Sequence, residues 1–369
     1  MPTSKKPTRI LTSYYRPKPG GLCKRLFRTI NSLLIEGHEI HYLSVVKFPI
    51  DHKNCYFHRF PWPESKTETS TFWICFHLAA PLILLCIGIK YKITHSFAFS
   101  TNYAFFLQPL RRIRSIPLSL FLRGDAIENH IIKGKHACLL RLEKVIEGIA
   151  IQGVNLYGVS EALINVVLQR HNRVKPYKSG VIRNDIVELA NRSKRILNKP
   201  LKLVCVGILE KRKNQMLLIE CMQSICAKEA VLYFYGVGPK ESELKELAKK
   251  LGVRDKVCFK GWVESSIIWP NADLLLQPSM HEGAPNSVLE ALASGVPILA
   301  SNIPEHKEIL PSYNLINIDG PKYWVETINE ILFDVDTRLT KLLESQAPYA
   351  EKLCFDWEKE MRKRILAEV

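Results

Sequence analysis

The sequence predicts an α/β protein made of two Rossmann-like, doubly wound domains in tandem, and three observations support this. The chain has 369 residues, enough for two domains of ordinary size. Strand-like and helix-like segments alternate in two successive runs, which is typical of parallel sheets. The two runs also differ in charge, since residues 1–180 hold 26 Lys and Arg against 10 Asp and Glu, whereas residues 181–369 hold 26 of each.

The first run opens as strand, loop, helix and strand. Extended apolar residues predict strands at 9–15 and 38–46, and helical periodicity predicts a helix at 22–35 that Gly37 ends. The further elements predicted in this run are a strand at 117–122, a helix at 139–153, a strand at 156–159 and a helix capped by Ser160. This alternation predicts a parallel sheet.

The second run begins after Pro200. Its predicted elements are strands at 201–206, 231–235, 257–260, 273–277, 297–300 and 315–318, helices at 214–226, 240–251, 286–294 and 321–333, and further closing helices. We expect domains at 1–185 and 186–345, with 346–369 as a C-terminal helix that packs back on the first domain. Ligands of such sheets gather at the carboxyl ends of the strands, so we expect the site in the cleft between the two sheets.

Composition and charge narrow the classes of function. Apolar residues make up 47% and charged residues 24%, which argues against long disorder and a multi-span membrane protein. The ten cysteines include no C-x-x-C pair of zinc-site spacing, and no signal peptide opens the chain, so we expect a cytoplasmic protein. The basic first half predicts an anionic partner, and a solvated basic surface is the alternative.

One apolar segment, residues 72–89, has no formal charge over eighteen residues. That length only just reaches a membrane-spanning helix, and His77 and Pro81 lie inside it. We therefore expect an apolar helix that rests on a domain core or on a membrane surface rather than one that spans the membrane.

The most informative stretch is residues 274–301, LLLQPSMHEGAPNSVLEALASGVPILAS. A strand leads to Glu282, small residues form a loop at 283–286, and Glu290 lies about one turn inside the following helix. Backbone N–H groups at a helix start favour phosphate or sugar oxygens, and a carboxylate one turn inside accepts two hydrogen bonds from a diol such as that of ribose.

A second motif follows the first strand of this domain, where residues 206–214 read VGILEKRKN. Lys211, Arg212 and Lys213 lie beside the start of a helix, an arrangement that suits a diphosphate. A solvated basic turn is the alternative interpretation of these three cations.

The two motifs resemble the retaining glycosyltransferases of family 4, which have the GT-B fold. Their hallmark is Glu, seven residues and Glu, followed by an Ala-rich helix and a Gly-x-Pro strand, and residues 282–299 here read EGAPNSVLEALASGVPIL. The resemblance implies that Glu290 holds the donor ribose and that Glu282 lies near the donor sugar. Lys213 matches the family lysine that neutralises the diphosphate. Ile208 occupies the position of the family arginine, so Arg212 or Lys211 is expected to substitute.

The resemblance extends to shorter loops. It implies that glycine loops after two strands hold the base, and that the loop at 17–21 faces the donor phosphates and the acceptor. The family histidine of the first domain is absent, and Asp125 or Arg123 is expected to position polar groups there, with a plain turn as the alternative. The predicted catalytic residues are Glu282, Lys213, Arg212 and Asp125. The predicted donor-binding residues are Gly20, Gly21, Gly207, Lys213, Gly236, Gly238, Trp262, Val263, Glu282, Gly283, Ala284, Pro285, Asn286 and Glu290.

Asp334 and Asp336 form an Asp-x-Asp sequence, which matches a known type of metal-binding motif. It follows a helix rather than a strand, so we predict that it caps the next helix. We expect neither a metal nor a cofactor, because Lys and Arg supply the positive charge and the nucleotide sugar, UDP- or GDP-linked, is a co-substrate.

These observations predict a retaining glycosyltransferase that moves a sugar from a nucleotide-diphosphate donor to a hydroxyl of a glycan. The resemblance implies a lipid-linked acceptor and a role in cell-surface polysaccharide or lipopolysaccharide synthesis. The expected partners are the donor, the acceptor and the anionic inner face of the cell membrane, without nucleic acid. Two alternatives stay open: a nucleotide-sugar epimerase or phosphorylase, and a non-catalytic protein of the same fold that binds membrane or polyanions.

Overall fold

A computed structural model describes residues 7–18, 21–132, 134–190, 199–226 and 228–366 of the chain. The described residues form two compact units: unit 1 comprises Met1–Ile182 and Asp356–Val369, and unit 2 comprises Arg183–Phe355. The sequence-based boundaries, after 185 and after 345, differ from these. The second boundary lies after Phe355 rather than after 345, because one helix runs without interruption to Leu353.

Unit 1 is built on a parallel sheet that has seven strands among the described residues, in the order β3-β2-β1-β4-β5-β6-β7. The strands are β1 Arg9–Ser13, β2 Glu39–Ser44, β3 Cys55–Arg59, β4 His95–Ala98, β5 Leu118–Leu122, β6 Asn155–Gly158 and β7 Lys178–Val181. Ile10 of β1 lies opposite Ile40 of β2, and both are buried. The predicted strands β1, β2, β5 and β6 are confirmed.

Helices cover the sheet of unit 1. They are α1 Gly21–Ile35, α2 Ser70–Lys90, α3 Thr101–Arg114, α4 Ala126–Ile132, α5 Ala137–Ile151, α6 Glu161–Arg170 and, from the end of the chain, α14 Trp357–Ile365. Helix α6 starts as predicted, because the Ser160 hydroxyl accepts a hydrogen bond from the Leu163 N–H at 3.1 Å.

Helix α14 belongs to unit 1 although it follows unit 2 in sequence. Trp357, Met361 and Ile365 are fully buried against α1, β4 and β5. The Ser119 hydroxyl of β5 donates to the Arg364 carbonyl at 2.8 Å, and Arg28 of α1 pairs with Glu358 at 2.6 Å.

Strands β3 and β4 were not predicted from the sequence. β3 is a partly exposed edge strand, and β4 has only four residues before the Ser100 turn into α3. Neither sequence has a clear period-two pattern of apolar residues. Pairing with neighbouring strands therefore determines that these segments form strands. The apolar segment forms α2, which continues through Pro81.

Unit 2 is built on a parallel sheet of six strands among the described residues, in the order β10-β9-β8-β11-β12-β13. The strands are β8 Leu201–Val206, β9 Ala230–Tyr235, β10 Val257–Phe259, β11 Leu274–Gln277, β12 Ile298–Ser301 and β13 Leu315–Ile316. The helices are α7 Gln215–Cys221, α8 Glu241–Lys250, α9 Ser265–Ile268, α10 Asn286–Ala293, α11 Pro304–Lys307, α12 Pro321–Phe333 and α13 Val335–Leu353.

Alternate residues of the central strands of unit 2 face two separate apolar cores. Leu203 and Leu274 belong to the core under α7, α8 and α12, whereas Val204 and Leu275 belong to the core under α10 and α13. This is the doubly wound arrangement that the sequence predicts. The helix predicted at 214–226 is shorter, because α7 ends at Cys221 and a 3-10 turn, Met222–Ser224, follows it.

Candidate active site at the carboxyl edge of the second sheet

The loops that leave the carboxyl ends of β8, β9 and β10 are joined by backbone hydrogen bonds. The Gly207 N–H donates to the Tyr235 carbonyl at 2.9 Å, and the Gly236 N–H donates to the Gly261 carbonyl at 2.7 Å. The three loops therefore form one platform at this edge of the sheet.

Glycines are required in this platform for packing between loops. Gly236 has a φ of +138°, and a side chain there would collide with the Gly207 carbonyl oxygen. A side chain at Gly238 would likewise collide with the backbone of Leu209. Close approach between loops explains these two glycines, and their predicted contact with a base stays a prediction.

A buried ionic cluster lies beside the platform. The Glu282 carboxylate receives Lys213 Nζ at 2.5 Å on Oε1 and Arg212 Nη1 at 3.1 Å on Oε2. The Ser279 hydroxyl at 2.6 Å and Gln277 Nε2 at 3.2 Å also donate to Oε1. The structure thus brings together three of the four residues predicted to be catalytic, and it adds Ser279 and Gln277, which sequence reasoning missed.

Glu282 is ionised in this cluster. Burial opposes the charged form of the carboxyl, but the neighbouring Lys213 ammonium, the Ser279 hydroxyl and Arg212 outweigh it and lower the Glu282 pKa to about 2. The side chains of Glu282 and Lys213 are 2% and 9% exposed, so this pair is almost closed to water. Glu282 therefore fixes the position of the Lys213 ammonium.

Glu210 is a further member of the cluster that the sequence did not reveal. Its Oε1 lies 2.5 Å from Arg212 Nε, so the guanidinium bridges Glu210 and Glu282. Two cations, Arg212 and Lys213, therefore meet two carboxylates. Arg212 and Glu210 are 22% and 23% exposed, so they form the open side of the cluster.

The two cations expected to substitute for the family arginine differ in their contacts. Arg212 reaches Glu282, whereas Lys211 is exposed. Ile208 itself is 45% exposed at the platform. Gln215 Nε2 donates to the Ile208 carbonyl at 2.9 Å and holds the turn that carries it.

Glu290 is the fifth residue of α10 and is oriented by two donors that the sequence did not identify. Within the described residues, the Ser265 hydroxyl at 2.7 Å and Trp269 Nε1 at 3.3 Å both reach the same oxygen, Oε2. The segment that starts at α9 thus fixes the plane of the Glu290 carboxylate. No sequence pattern marks Ser265, because the contact spans 25 residues.

The loop between Glu282 and α10 lies at the same edge. Gly283 and Ala284 are half-buried, Pro285 is buried before the first turn of α10, and the exposed Asn286 accepts a hydrogen bond from Asn184 Nδ2 at 2.8 Å. Ser287, also missed, donates to Gln277 at 3.2 Å.

The other predicted donor-binding residues are spread more widely. Trp262 is 73% exposed in the loop after β10, beside the half-buried Val263, and Gly207 lies in the platform. Gly21 begins α1 in unit 1, and Gly20 lies outside the described residues.

His306 is a buried neighbour of the ionic cluster that sequence reasoning did not select. Its Nδ1 donates to the Ser301 carbonyl at 2.8 Å. Burial lowers the His306 pKa, although the Glu282 carboxylate favours the charged ring. The neutral imidazole therefore packs next to the cluster without adding charge.

Asp125 has a different environment in unit 1. Its Oδ1 accepts the Ile127 and Glu128 N–H groups at 2.9 and 3.1 Å, which caps α4. Its Oδ2 is paired with Arg170, which also donates to Glu147 at 2.7 Å. The alternative interpretation, a residue that caps the next element, describes this geometry, and a catalytic role for Asp125 stays a prediction.

The Asp-x-Asp sequence caps a helix, as predicted. The Asp334 carboxylate accepts the Thr337 N–H at 3.4 Å at the start of α13. Within the described part of the chain, no group of three or more His, Cys, Asp or Glu side chains is placed to hold a metal ion.

Comparison with known families decides what kind of domain carries this site. The family described as "Glycosyl transferases group 1" matches residues 187–352. Unit 2 is therefore a glycosyltransferase group 1 domain. The match contains Glu282, Glu290 and the whole of the Glu210–Lys213 turn.

Several curated relatives of this domain are named as glycosyltransferases of lipopolysaccharide or O-antigen synthesis. The chain is 31% identical over 124 residues to lipopolysaccharide glucosyltransferase WaaG of Escherichia coli, which is 33% of each chain. It is 32% identical over 129 residues to O-antigen chain mannosyltransferase RfbU of Salmonella typhimurium, 34% of this chain and 35% of that one. The chain thus aligns with about a third of the length of these relatives.

Solved structures resemble the whole fold. WaaG aligns with a TM-score of 0.73 over 96% of this chain and 99% of its own, at 18% identity. Sucrose-phosphate synthase from Thermosynechococcus elongatus aligns with a TM-score of 0.76 over 96% and 97%, at 15% identity. HepE of Anabaena, solved with UDP-glucose, aligns with a TM-score of 0.70 over 97% and 98%, at 15% identity. The predicted fold, two Rossmann-like α/β units of the GT-B type, is confirmed.

Proposed function

We propose that this protein is a retaining, metal-independent glycosyltransferase that moves a sugar from a nucleotide-diphosphate donor to a hydroxyl of a glycan. The observation that supports this most directly is the placement of Glu290 and the Arg212–Lys213–Glu282 cluster at one edge of the group 1 domain. A carboxylate for a diol and two cations for phosphates lie at the carboxyl ends of parallel strands, where such sheets bind nucleotides.

Glu290 is the proposed ribose-binding residue. Ser265 and Trp269 hold its carboxylate through one oxygen, which leaves the group oriented before a ligand arrives. A carboxylate held in this way accepts hydrogen bonds from two vicinal hydroxyls without first losing rotational freedom. The exposed ring of Trp262 is a surface on which a flat base can stack.

Arg212 and Lys213 are the proposed diphosphate-binding residues. Negative charge grows on the diphosphate as the bond to the sugar breaks, and preorganised cations in a poorly hydrated site stabilise that charge. Glu282 keeps Lys213 in place, and Arg212 is the more exposed of the two cations. In a retaining transfer the acceptor hydroxyl attacks from the face that the nucleotide leaves. We propose that these two cations replace a divalent metal.

We propose a glycan acceptor, lipid-linked, at the inner face of the cell membrane. Relatives of the group 1 domain act in lipopolysaccharide core, O-antigen and colanic acid synthesis. The excess positive charge of residues 1–180 suits a protein that works next to anionic headgroups. The protein is then a peripheral protein on the cytoplasmic side.

The test is nucleotide binding by calorimetry with UDP, GDP, ADP and their common sugar conjugates. One nucleotide should bind, and Glu290→Gln should weaken its binding about tenfold or more, because one charged hydrogen-bond acceptor is worth roughly 1.5–3 kcal/mol. Glu246→Gln on the exposed side of α8 is the matched control and should bind as the parent does.

The other possible results each contradict one part of the proposed function. No binding of any nucleotide, with an intact fold by circular dichroism, favours the non-catalytic alternative. A change of the donor sugar without an acceptor favours the epimerase. Binding that is the same in Glu290→Gln and in the parent contradicts the assignment of the ribose site. Inverted anomeric configuration of the product by NMR contradicts the retaining mechanism.

A further inference from the structure

Helix α2, Ser70–Lys90, has an apolar side that the structure leaves uncovered. Ile74, Leu78 and Leu82 are 61%, 71% and 64% exposed, and they follow one another at intervals of four residues. Ile89 continues the same side and is half exposed. Residues four apart lie on one side of a helix, so these side chains form a continuous apolar stripe along α2.

The opposite side of α2 is part of the core of unit 1. Phe72, Phe76 and Leu84 are completely buried. α2 packs along α3, and Gly88 allows the closest approach, because any side chain there would collide with Leu110. The helix is long and apolar enough to cross a membrane by length and composition, yet a third of it is buried inside unit 1.

His77 and Pro81 lie inside α2 without interrupting its exposed apolar side. The Nδ1–H of His77 donates to the Trp73 carbonyl at 2.7 Å, and its ring packs edge-on against Phe106 of α3. Pro81 lies in the helix without ending it. The exposed stripe is therefore continuous from Ile74 to Ile89.

The helices next to the stripe present positive charge. α3 packs against both α2 and α5, so the three helices form one layer. On these helices, all of which are described, the exposed charged residues are Lys90, Arg112, Arg114, Arg141 and Lys144. The two acidic side chains of the layer, Glu143 and Glu147, are only 15% and 3% exposed.

Several of these cations lie at one end of the layer. A side chain at Gly88 would collide with Leu110, so the C-terminal ends of α2 and α3 are adjacent, and Lys90, Arg112 and Arg114 lie at these ends. The exposed Leu142 and Val145 extend the apolar surface onto α5. Two exposed carboxylates outside the layer, Glu64 and Glu68, precede α2, and Glu68 is paired with Arg16 and Lys18.

We propose that the outer side of α2, with the neighbouring cations of α3 and α5, is a docking surface that lies in the headgroup region of an anionic phospholipid bilayer. An apolar stripe fringed by Lys and Arg is the composition of helices that lie in the plane of a membrane. A second copy of this chain would bring like charges together on such a surface, which is unfavourable. Spanning would require the buried side of α2 to leave the core of unit 1.

This inference makes the proposed membrane contact specific, and its test needs no nucleotide, so its failure is distinguishable from failure of the proposed transfer reaction. The full chain is sedimented with vesicles of phosphatidylcholine that contain about a third phosphatidylglycerol. The variant Leu78→Glu/Leu82→Glu should bind at least about tenfold more weakly, because two inserting side chains are lost. Ile35→Glu, at an equally exposed position at the end of α1, should bind as the parent does.

A second variant tests the electrostatic part. Lys90→Gln/Arg114→Gln should weaken binding to the anionic vesicles by about fivefold per cation, because each is worth roughly 1 kcal/mol near such a surface. Binding to pure phosphatidylcholine vesicles should change little. Thermal unfolding of every variant should match the parent, since all five substituted positions are exposed.

Three results would overturn the proposal. Equal vesicle binding by Leu78→Glu/Leu82→Glu and the parent would show that the stripe does not insert. Resistance of the bound protein to alkaline carbonate extraction would show that α2 spans the bilayer. A dimer in light scattering that this variant converts to a monomer, with vesicle binding unchanged, would make the stripe an interface between copies.

Discussion

Unit 1 and unit 2 each contain a cluster in which an arginine joins two carboxylates. In unit 1, Arg170 joins Asp125 and Glu147, and in unit 2, Arg212 joins Glu210 and Glu282. Asp125 and Arg212 both follow the carboxyl end of a strand, the edge at which parallel sheets bind ligands.

The two clusters differ in where their side chains point. Asp125 turns back to cap α4, and Glu147 also accepts His171 Nε2 at 2.8 Å, so the protein itself occupies these carboxylates. In unit 2, Arg212 and Glu210 remain about a fifth exposed beside the platform. A charged residue after a strand is therefore a candidate for ligand binding only if the next helix does not use it as a cap.

The largest effect should come from Glu282→Gln. It leaves the Lys213 ammonium buried without a charged partner, and breaking a buried pair in this way costs about 3–5 kcal/mol in the free energy of unfolding. Urea denaturation at neutral pH measures the loss. Glu326→Gln, on the exposed side of α12, is the control and should change the stability little.

The effect of Glu282→Gln should also depend on pH. The folded-state pKa of Glu282 is lowered to about 2, so its ionised form stabilises the protein fully above its ordinary value of 4.5, and this contribution is lost as the pH falls toward 2. The stability difference between parent and variant should therefore shrink between these values. A difference that is constant from pH 6 to pH 3, roughly the range over which carboxyls titrate, would contradict the assigned partners.

Arg170→Met should have the second-largest effect and should separate the two clusters. It leaves the carboxylates of Asp125 and Glu147 nearly buried without their shared cation, which costs about 3 kcal/mol of stability. We expect unchanged nucleotide affinity in calorimetry, because the Asp125 carboxylate caps α4 and pairs with Arg170. Arg173→Met, exposed after α6, is the matched control. A loss of nucleotide affinity with normal stability would support the predicted direct role for Asp125.

The smallest expected effect is a gain in nucleotide affinity, and it should come from Glu210→Gln. Removing this carboxylate leaves the cluster with a net positive charge, so a nucleoside diphosphate should bind about threefold to fivefold more tightly, as for other partly exposed charge pairs worth up to about 1 kcal/mol. Calorimetry with the nucleotide that the parent binds measures this, with Glu246→Gln as the control. Weaker binding would mean that Glu210 is needed to hold Arg212 in place.

The two units also differ in how far the sequence predicts them. In unit 2, strands, glycine stops and the Glu282–Glu290 spacing all occur within short windows, so the sheet and most of the site could be predicted. In unit 1, short or edge strands such as β3 and β4 depend on pairing with distant residues, and local pattern does not reveal them.

Several side chains of the site contact residues that are distant in sequence, and these contacts could not be predicted. Ser265 meets Glu290 across 25 residues, and Arg212 meets Glu282 across 70. At Gly236 the structure shows a second reason for a glycine, the close approach of the Gly207 backbone, which the sequence did not reveal. Residue type and spacing indicate which groups are available, and only three-dimensional packing decides which of them face each other.

Helix α14 has a consequence for the order in which the protein matures on the ribosome. Its buried residues Trp357, Met361 and Ile365 are synthesised after all of unit 2, yet they complete the hydrophobic core of unit 1. During translation the second unit is therefore able to reach its finished form first, while the nascent first unit keeps an apolar groove open for its last helix. A stop codon after residue 355 would leave unit 2 whole and unit 1 without part of its core.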